Sequence, residues 1–136
     1  MIEQLIQVMI YVEDVTIMKE FWINQLGFNL IEESLVDSEM HFIEIAASEN
    51  SQTHLVLFDR AVIAQQSPEL NLGTPSLMFQ TPDATALYYK FRDQGITVGE
   101  LVAMPMGHVF NFADPEGHYF AVKDDVKPIN EKETFG

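Results

Sequence analysis

The sequence repeats one pattern of predicted elements after a shift of 69 positions, and this repeat restricts the folds that the chain can adopt. The shift places Gln7 on Ser76, Asp14 on Asp83 and Gln25 on Gln94. Each half starts with an alternating strand, continues with a helix that begins at an aspartate and ends at a glycine, and closes with three more alternating segments. The sequence therefore predicts two consecutive βαβββ modules.

The apolar spacing locates the elements of both modules. In the first half, a strand is predicted over 5–12, a helix from Asp14 to Gly27, and strands over 28–35, 40–47 and 53–60. In the second half, a strand is predicted over 75–81, a helix from Asp83 to Gly95, and strands over 96–103, 108–113 and 118–123. The apolar residues at helical spacing are Ile17, Met18, Phe21, Trp22 and Leu26 in the first helix and Ala84, Leu87, Tyr88 and Phe91 in the second.

A length of 136 residues suits one domain with a real core and is short for two. We expect a single domain, 1–136, made of modules over about 4–59 and 74–124, with a connector over 60–73 and a polar tail over 125–136. Because the apolar stripe of each helix needs a sheet to bury it, the fold class is α+β.

Composition excludes several partners and compartments. The formal net charge of −14 repels phosphate backbones, so nucleic acid is not expected as a partner. No apolar run approaches the roughly 18 residues of a membrane helix, and the first residues lack the basic start of a signal peptide. With no cysteine for a disulfide framework or a thiolate zinc site, the sequence favours a soluble, cytoplasmic protein of bacterial type.

Two stretches resemble the vicinal oxygen chelate superfamily, which includes glyoxalase I, extradiol dioxygenases and bleomycin-resistance proteins. "QVMIYVEDVTIMKEFWINQLGF" is similar to the first β-α unit of that family, and "FADPEGHYFAV" to its closing turn and strand. In "DPEG", proline and glycine occupy the second and fourth positions that a type I turn favours. The resemblance implies curved mixed sheets that enclose a concave cavity, helices on the outside, and a homodimer.

The metal-using members of this family bind their ion through four inward positions on the first and fourth strands of each module. The resemblance assigns those positions here to Gln7, Val56, Ser76 and Ala121. Because Val56 and Ala121 contain no donor atom and catalytic zinc usually needs three protein ligands, we expect neither a metal nor another cofactor.

Other potential metal ligands do not fall at these positions in the aligned register. They are His41, Glu44, His54, His108 and His118. A slip of two residues would bring His54 beside Gln7 and create a displaced metal site. By strand alternation, His118 points away from Ala121.

The inward face is expected to bind a small molecule through apolar and aromatic walls with sparse polar groups. The predicted binding residues are Gln7, Met9, Tyr11, His54, Val56, Phe58, Ser76, Met78, Tyr119, Ala121 and Lys123, with Gln80 on the same face. The favoured function is metal-free binding or sequestration of an aromatic or cationic molecule, as the resemblance to bleomycin-resistance proteins implies. The alternatives are a metal-dependent lyase, isomerase or dioxygenase, and a metal-free enzyme that uses Lys123, Tyr11 or His54. A further alternative is that these side chains only fill the hollow of a curved sheet and bind no ligand. The sequence does not assign catalytic residues.

Overall fold

The computed structural model describes residues 1–37 and 39–124. Within them the chain forms two compact units, one over Met1–Pro75 and a second that begins at Ser76. The polar tail predicted over 125–136 lies outside the described residues.

The first unit is a mixed four-stranded sheet with a helix on one face. Along the chain it contains β1 (Gln7–Val12), α1 (Val15–Lys19), a π-helical continuation (Glu20–Gln25), β2 (Asn29–Val36), β3 (Glu39–Ala46), β4 (His54–Asp59) and α2 (Arg60–Gln66). The strand order is β1-β4-β3-β2. Strands β1 and β4 run parallel, whereas β3 runs antiparallel to both of its neighbours.

The second unit repeats this topology with shorter outer strands. It contains β5 (Met78–Gln80), α3 (Ala84–Asp93), β6 (Val102–Met104), β7 (Gly107–Ala113) and β8 (Tyr119–Lys123), in the order β5-β8-β7-β6. The parallel pair is again formed by the first and last strands, β5 and β8. The prediction of two βαβββ modules with mixed sheets is confirmed.

The helix ends follow the predicted capping residues. The carboxylate of Asp14 accepts the N–H of Ile17 at 3.1 Å, and that of Asp83 accepts the N–H of Ala86 at 3.0 Å. Gly27 and Gly95 end the helices with φ angles of 82° and 80°, in the left-handed region that residues with a Cβ rarely adopt. The sequence thus determines where both helices begin and end.

The first helix with its π-helical continuation, and α3, each bury an apolar stripe against the sheet of their own unit. In the first unit Trp22 is fully buried, and its ring lies 4.9 Å from that of Phe28 and 5.8 Å from that of Phe21. In the second unit the buried ring of Phe110 packs edge-on against Tyr88 and Phe91. One predicted stripe residue does not belong to the core, because Ile17 remains 53% exposed.

Two segments differ from the predicted pattern. The connector contains helix α2, which starts where the carboxylate of Asp59 accepts the N–H of Ala61 at 2.9 Å. The strand predicted over 96–103 is interrupted, since Val98 forms an isolated bridge to Phe112 and regular pairing resumes only at Val102. Helix α2 has no buried residue, and Gly99 and Glu100 break the apolar alternation between Val98 and Val102.

The closing turn before β8 has the predicted form. The N–H of Gly117 donates to the carbonyl oxygen of Asp114 at 3.0 Å, and Gly117 has a φ of 84°. The buried carboxylate of Asp114 also accepts the N–H groups of Glu116 and His118, at 3.0 Å and 2.9 Å. The turn is therefore held by both its backbone and its aspartate side chain.

Asp124 connects three elements of the second unit. Its carboxylate accepts the N–H of His108 in β7 at 2.7 Å and the N–H of Ala84 at the start of α3 at 2.8 Å. These two hydrogen bonds, that from His108 foremost, hold the pKa of the Asp124 carboxyl below its ordinary value of 3.8. The end of β8 is thereby joined to both its neighbouring strand and the helix.

Candidate functional site

The first sheet has one face that is turned away from α1, which we call the first open face. Alternation along the strands sends Ile10, Ile43 and Leu57 into the core and the residues between them to the other side. The first open face contains Gln7, Met9 and Tyr11 from β1, His54, Val56 and Phe58 from β4, Phe42 and Glu44 from β3, and Glu32 and Ser34 from β2.

The strand register brings together all six residues predicted for this half of the site. Gln7 lies opposite His54, and Met9 lies opposite Val56. Tyr11 lies opposite Phe58 in the same parallel pair. Directly paired residues project from the same side of a sheet, so these six side chains form one continuous surface.

Three aromatic side chains form a row across this surface, which we call the aromatic row. The rings of Tyr11 and Phe58 stack with centroids 6.3 Å apart and planes inclined by 24°. The ring of Phe42 follows on the next strand, 5.4 Å from that of Phe58. All three side chains are half-buried, so one side of the row is accessible to solvent. A flat apolar molecule can stack on such a surface.

A polar pair lies beside the aromatic row. His54 Nδ1 lies 2.6 Å from Glu44 Oε2, and His54 Nε2 lies 3.2 Å from the carbonyl oxygen of Ser51. Because both partners are oxygen acceptors when the carboxylate is ionised, both contacts are hydrogen bonds when each ring nitrogen is protonated. The side chains of His54 and Glu44 are 25% and 15% exposed. The pair fixes the orientation of a half-buried carboxylate on this face.

Glu44 and Phe42 were not among the predicted binding residues. They belong to β3, which pairs directly with β4, so that Glu44 lies opposite Val56 and Phe42 opposite Phe58. The alternation in "MHFIEIAA" already placed both on one side of their strand. The missing information was that β3 rather than β2 adjoins β4.

The second sheet has an equivalent face, turned away from α3. Met78 lies opposite Ala121, and Gln80 lies opposite Lys123. Asn111 adjoins Ala121 on the other side. Met78 and Tyr119 are 54% and 59% exposed, and Ser76 is exposed just before β5. The predicted residues of this half thus share an accessible surface, except that Ser76 precedes the strand.

The remaining histidine contacts are structural. His118 Nδ1 lies 2.7 Å from Asp114 Oδ2 within the closing turn, and the backbone N–H of His108 binds Asp124. Over residues 1–37 and 39–124, no three side chains of His, Cys, Asp or Glu are grouped so that they could hold a metal ion. In the same part of the chain, no helix combines the length and apolar character that crossing a membrane requires.

Two βαβββ units with accessible sheet faces define a protein of the vicinal oxygen chelate class. The model of the Glyoxalase/Bleomycin resistance protein/Dioxygenase superfamily matches residues 4–122, and the chain belongs to that superfamily. The resemblance inferred from the first β-α unit and the closing turn is confirmed.

Three known proteins illustrate the relationship. YetH from Bacillus subtilis (strain 168) is 29% identical over 125 residues, which cover 91% of this chain and 100% of YetH. The structure of TnmS3, an antibiotic binding protein from Streptomyces sp. CB03234, matches with a TM-score of 0.74 and 22% identity, over 92% of this chain and 98% of TnmS3. Lactoylglutathione lyase from Agrobacterium tumefaciens matches with a TM-score of 0.69 and 15% identity, over 89% and 92% of the two chains. The two solved structures share the fold.

Proposed function

We propose that the protein binds a small aromatic or cationic molecule on the open faces of its sheets, without a metal ion. The observation that supports this most directly is the accessible aromatic row of Tyr11, Phe58 and Phe42 beside the oriented carboxylate of Glu44. Apolar walls with a few fixed polar groups are typical of small-molecule sites. The fold likeness to the antibiotic binding protein TnmS3 agrees with a binding role.

The residues at the family's metal-binding positions support the metal-free part of the proposal. Val56 and Ala121 have no donor atom, and Val56 is only 4% exposed between Met9 and Glu44. The remaining positions offer the amide of Gln7 and the hydroxyl of Ser76. Catalytic zinc sites usually contain three His, Cys or carboxylate ligands, so this set is a poor one.

A second candidate is a metal-dependent enzyme with a displaced site. Gln7 lies directly opposite His54, and His54 is bonded to Glu44, so three donor side chains adjoin on the first open face. Against this, Nδ1 of His54 binds Glu44 and Nε2 binds the Ser51 carbonyl, so neither nitrogen is available to a metal without rearrangement. A metal-free enzyme using Lys123, Tyr11 or His54 is a third candidate. His54 has a carboxylate partner in Glu44, but its second ring nitrogen faces the Ser51 carbonyl oxygen, so neither nitrogen is directed at a bound molecule.

Metal analysis distinguishes the first two candidates. We expect purified protein to contain far less than one zinc, nickel, manganese or iron per chain, and its melting temperature to be unchanged by EDTA, because no described ligand set depends on an ion. Elemental analysis and thermal melts with EDTA, followed by excess zinc, measure both quantities. A stoichiometric metal, or a melting temperature that falls with EDTA and returns with metal, would contradict metal-free binding and direct attention to Gln7 and His54.

We also propose that the protein is a homodimer, as its family resemblance suggests. Large apolar side chains on both open faces stay exposed in the single chain, with Met9 at 39%, Met78 at 54% and Tyr119 at 59%. A second copy would cover part of such a surface. Light scattering at micromolar concentration is expected to give twice the mass of one chain. A strictly monomeric mass would refute this proposal without affecting the one on ligand binding.

A further inference from the structure

We propose that Glu44 anchors the ligand of the first open face, and that this ligand is a flat aromatic molecule with a protonated amine or a similar cationic N–H group. This inference rests on the proposed binding function and specifies the chemistry of the molecule that is bound. The flat part of the ligand stacks on the aromatic row, and its cationic group binds the Glu44 carboxylate.

The contacts of Glu44 leave half of its carboxylate for a ligand. Oε2 accepts from His54 at 2.6 Å, and the residues that the structure describes provide no other hydrogen bond or ion pair to this side chain. With 15% exposure, the carboxylate is partly shielded from water, which strengthens a charge-assisted hydrogen bond. The bond to His54 restricts the rotamers of Glu44 before any ligand binds, so less conformational entropy is lost on binding.

The charges on the first open face favour a cation. Glu32 lies opposite Glu44 on β2, and its exposed side chain adds a second carboxylate to the same face. The described residues of this face include no lysine or arginine, and Lys19 lies on the helix side, where it pairs with Glu33 at 2.7 Å. When both of its ring nitrogens are protonated, His54 is the one cationic group among the described residues of this face. Its two N–H groups then donate to the Glu44 carboxylate and to the Ser51 carbonyl oxygen.

The spacing along β3 sets the size of the ligand. Phe42 and Glu44 are two positions apart on β3, which corresponds to about 7 Å along a strand. The centroids of Phe42 and Phe58 lie 5.4 Å apart across the sheet, so the aromatic row is wide enough for two or three fused rings. A tricyclic amine therefore matches the surface in both shape and charge.

A pair of fluorescent probes tests the assignment. The cationic 9-aminoacridine and the anionic 9-anthracenecarboxylate have similar three-ring frames and opposite charge. Titrations are made at about 150 mM salt, where the Debye length of about 8 Å screens the general acidity of the protein. We expect 9-aminoacridine to bind more tightly than 9-anthracenecarboxylate, and Glu44→Gln to weaken its binding about tenfold, as loss of a charge-assisted hydrogen bond predicts.

Glu33→Gln is the matched control, because it removes the same charge from the helix side of the same sheet, where Glu33 lies opposite the buried Ile43 and pairs with Lys19. It should leave both affinities unchanged. Gln retains the size of Glu and still accepts a hydrogen bond from His54, and a thermal melt checks that the Glu44→Gln variant is folded. The preference of the wild-type protein for the cationic probe is tested without any variant.

The outcomes separate this inference from the proposed function. If both probes bind equally and Glu44→Gln changes neither affinity, the anchor is wrong while aromatic binding stands. An equal loss of 9-aminoacridine binding in Glu33→Gln and Glu44→Gln would assign the preference to overall charge and also overturn the anchor. If neither probe binds the wild-type protein at millimolar concentration, the proposed binding of aromatic molecules fails and the anchor fails with it.

Discussion

Replacing Trp22 by alanine is expected to lower the free energy of unfolding by about 3–5 kcal/mol, as is typical for removal of a large buried aromatic side chain. Trp22 is fully buried beneath the first sheet, and it makes edge-on contacts with Phe21 and Phe28. The substitution removes both contacts and leaves a cavity that the surrounding sheet cannot close completely. Urea denaturation followed by circular dichroism measures the loss.

Ile17→Ala is the matched control on the same helix. Ile17 has the helical spacing of a core residue in the sequence but is 53% exposed, so its truncation should change the free energy of unfolding by less than about 0.5 kcal/mol. If both substitutions cost the same, then α1 is rotated relative to the sheet from the orientation described, and the assignment of the first open face would change with it.

Replacing Val56 by glutamate is expected to cost about 3 kcal/mol of stability. Val56 is 4% exposed and lies between Met9 and Glu44, so the substitution adds a shielded charge directly opposite another carboxylate. Burial of an unpaired charge is among the few mechanisms that give large losses from a single substitution. The loss is measured as the difference in unfolding free energy from the wild-type protein at neutral pH.

Val56→Gln separates charge from size, because glutamine has nearly the same volume and shape. We expect it to be less destabilising than Val56→Glu, and the difference should shrink at acidic pH, where glutamate is protonated. Ala121→Glu, at the corresponding position of the second unit, should cost less because Ala121 is half-exposed and adjoins Asn111. If Val56→Glu were as stable as Val56→Gln, the new carboxylate would not be an unpaired, shielded charge, and the expected cost of a charge at this position would be wrong.

The parts of the fold that follow from short-range chemistry were predictable from the sequence. Asp14 and Asp83 cap their helices because an aspartate side chain can accept an N–H two or three residues ahead in any fold. Gly27 and Gly95 end their helices at the predicted positions, and Gly117 occupies the fourth position of the predicted turn; all three have left-handed φ angles. These signals depend on a few neighbouring residues and little on the rest of the chain.

The missed elements depend on contacts that a local pattern does not specify. Helix α2 has no buried residue, so its sequence contains no apolar stripe, and only the cap formed by Asp59 marks its start. The interruption before β6 leaves Val98 bridged to Phe112, which alternation within 96–103 does not reveal. In the first helix, the change to π-helical geometry over Glu20–Gln25 alters the spacing on which the expected stripe was based.

The sequence predicted which side chains of one strand share a face, but it did not predict which strands lie side by side. Alternation along β1 and β4 correctly grouped Gln7, Met9 and Tyr11 with His54, Val56 and Phe58. Which side chains adjoin across the sheet depends on the strand order, and the same predicted elements are compatible with several strand orders. Glu44 therefore looked like an isolated carboxylate, although it lies beside β4 and binds the one histidine that the sequence had singled out.

The hydrogen bonds of Asp124 set a boundary for protein engineering. A fusion partner or affinity tag joined directly to Lys123 would omit the carboxylate that accepts from His108 and Ala84, and would leave the first turn of α3 without that partner. Junctions placed after Asp124 keep both of these hydrogen bonds. Any shortened form of the protein intended for crystallisation or immobilisation should therefore end no earlier than this residue.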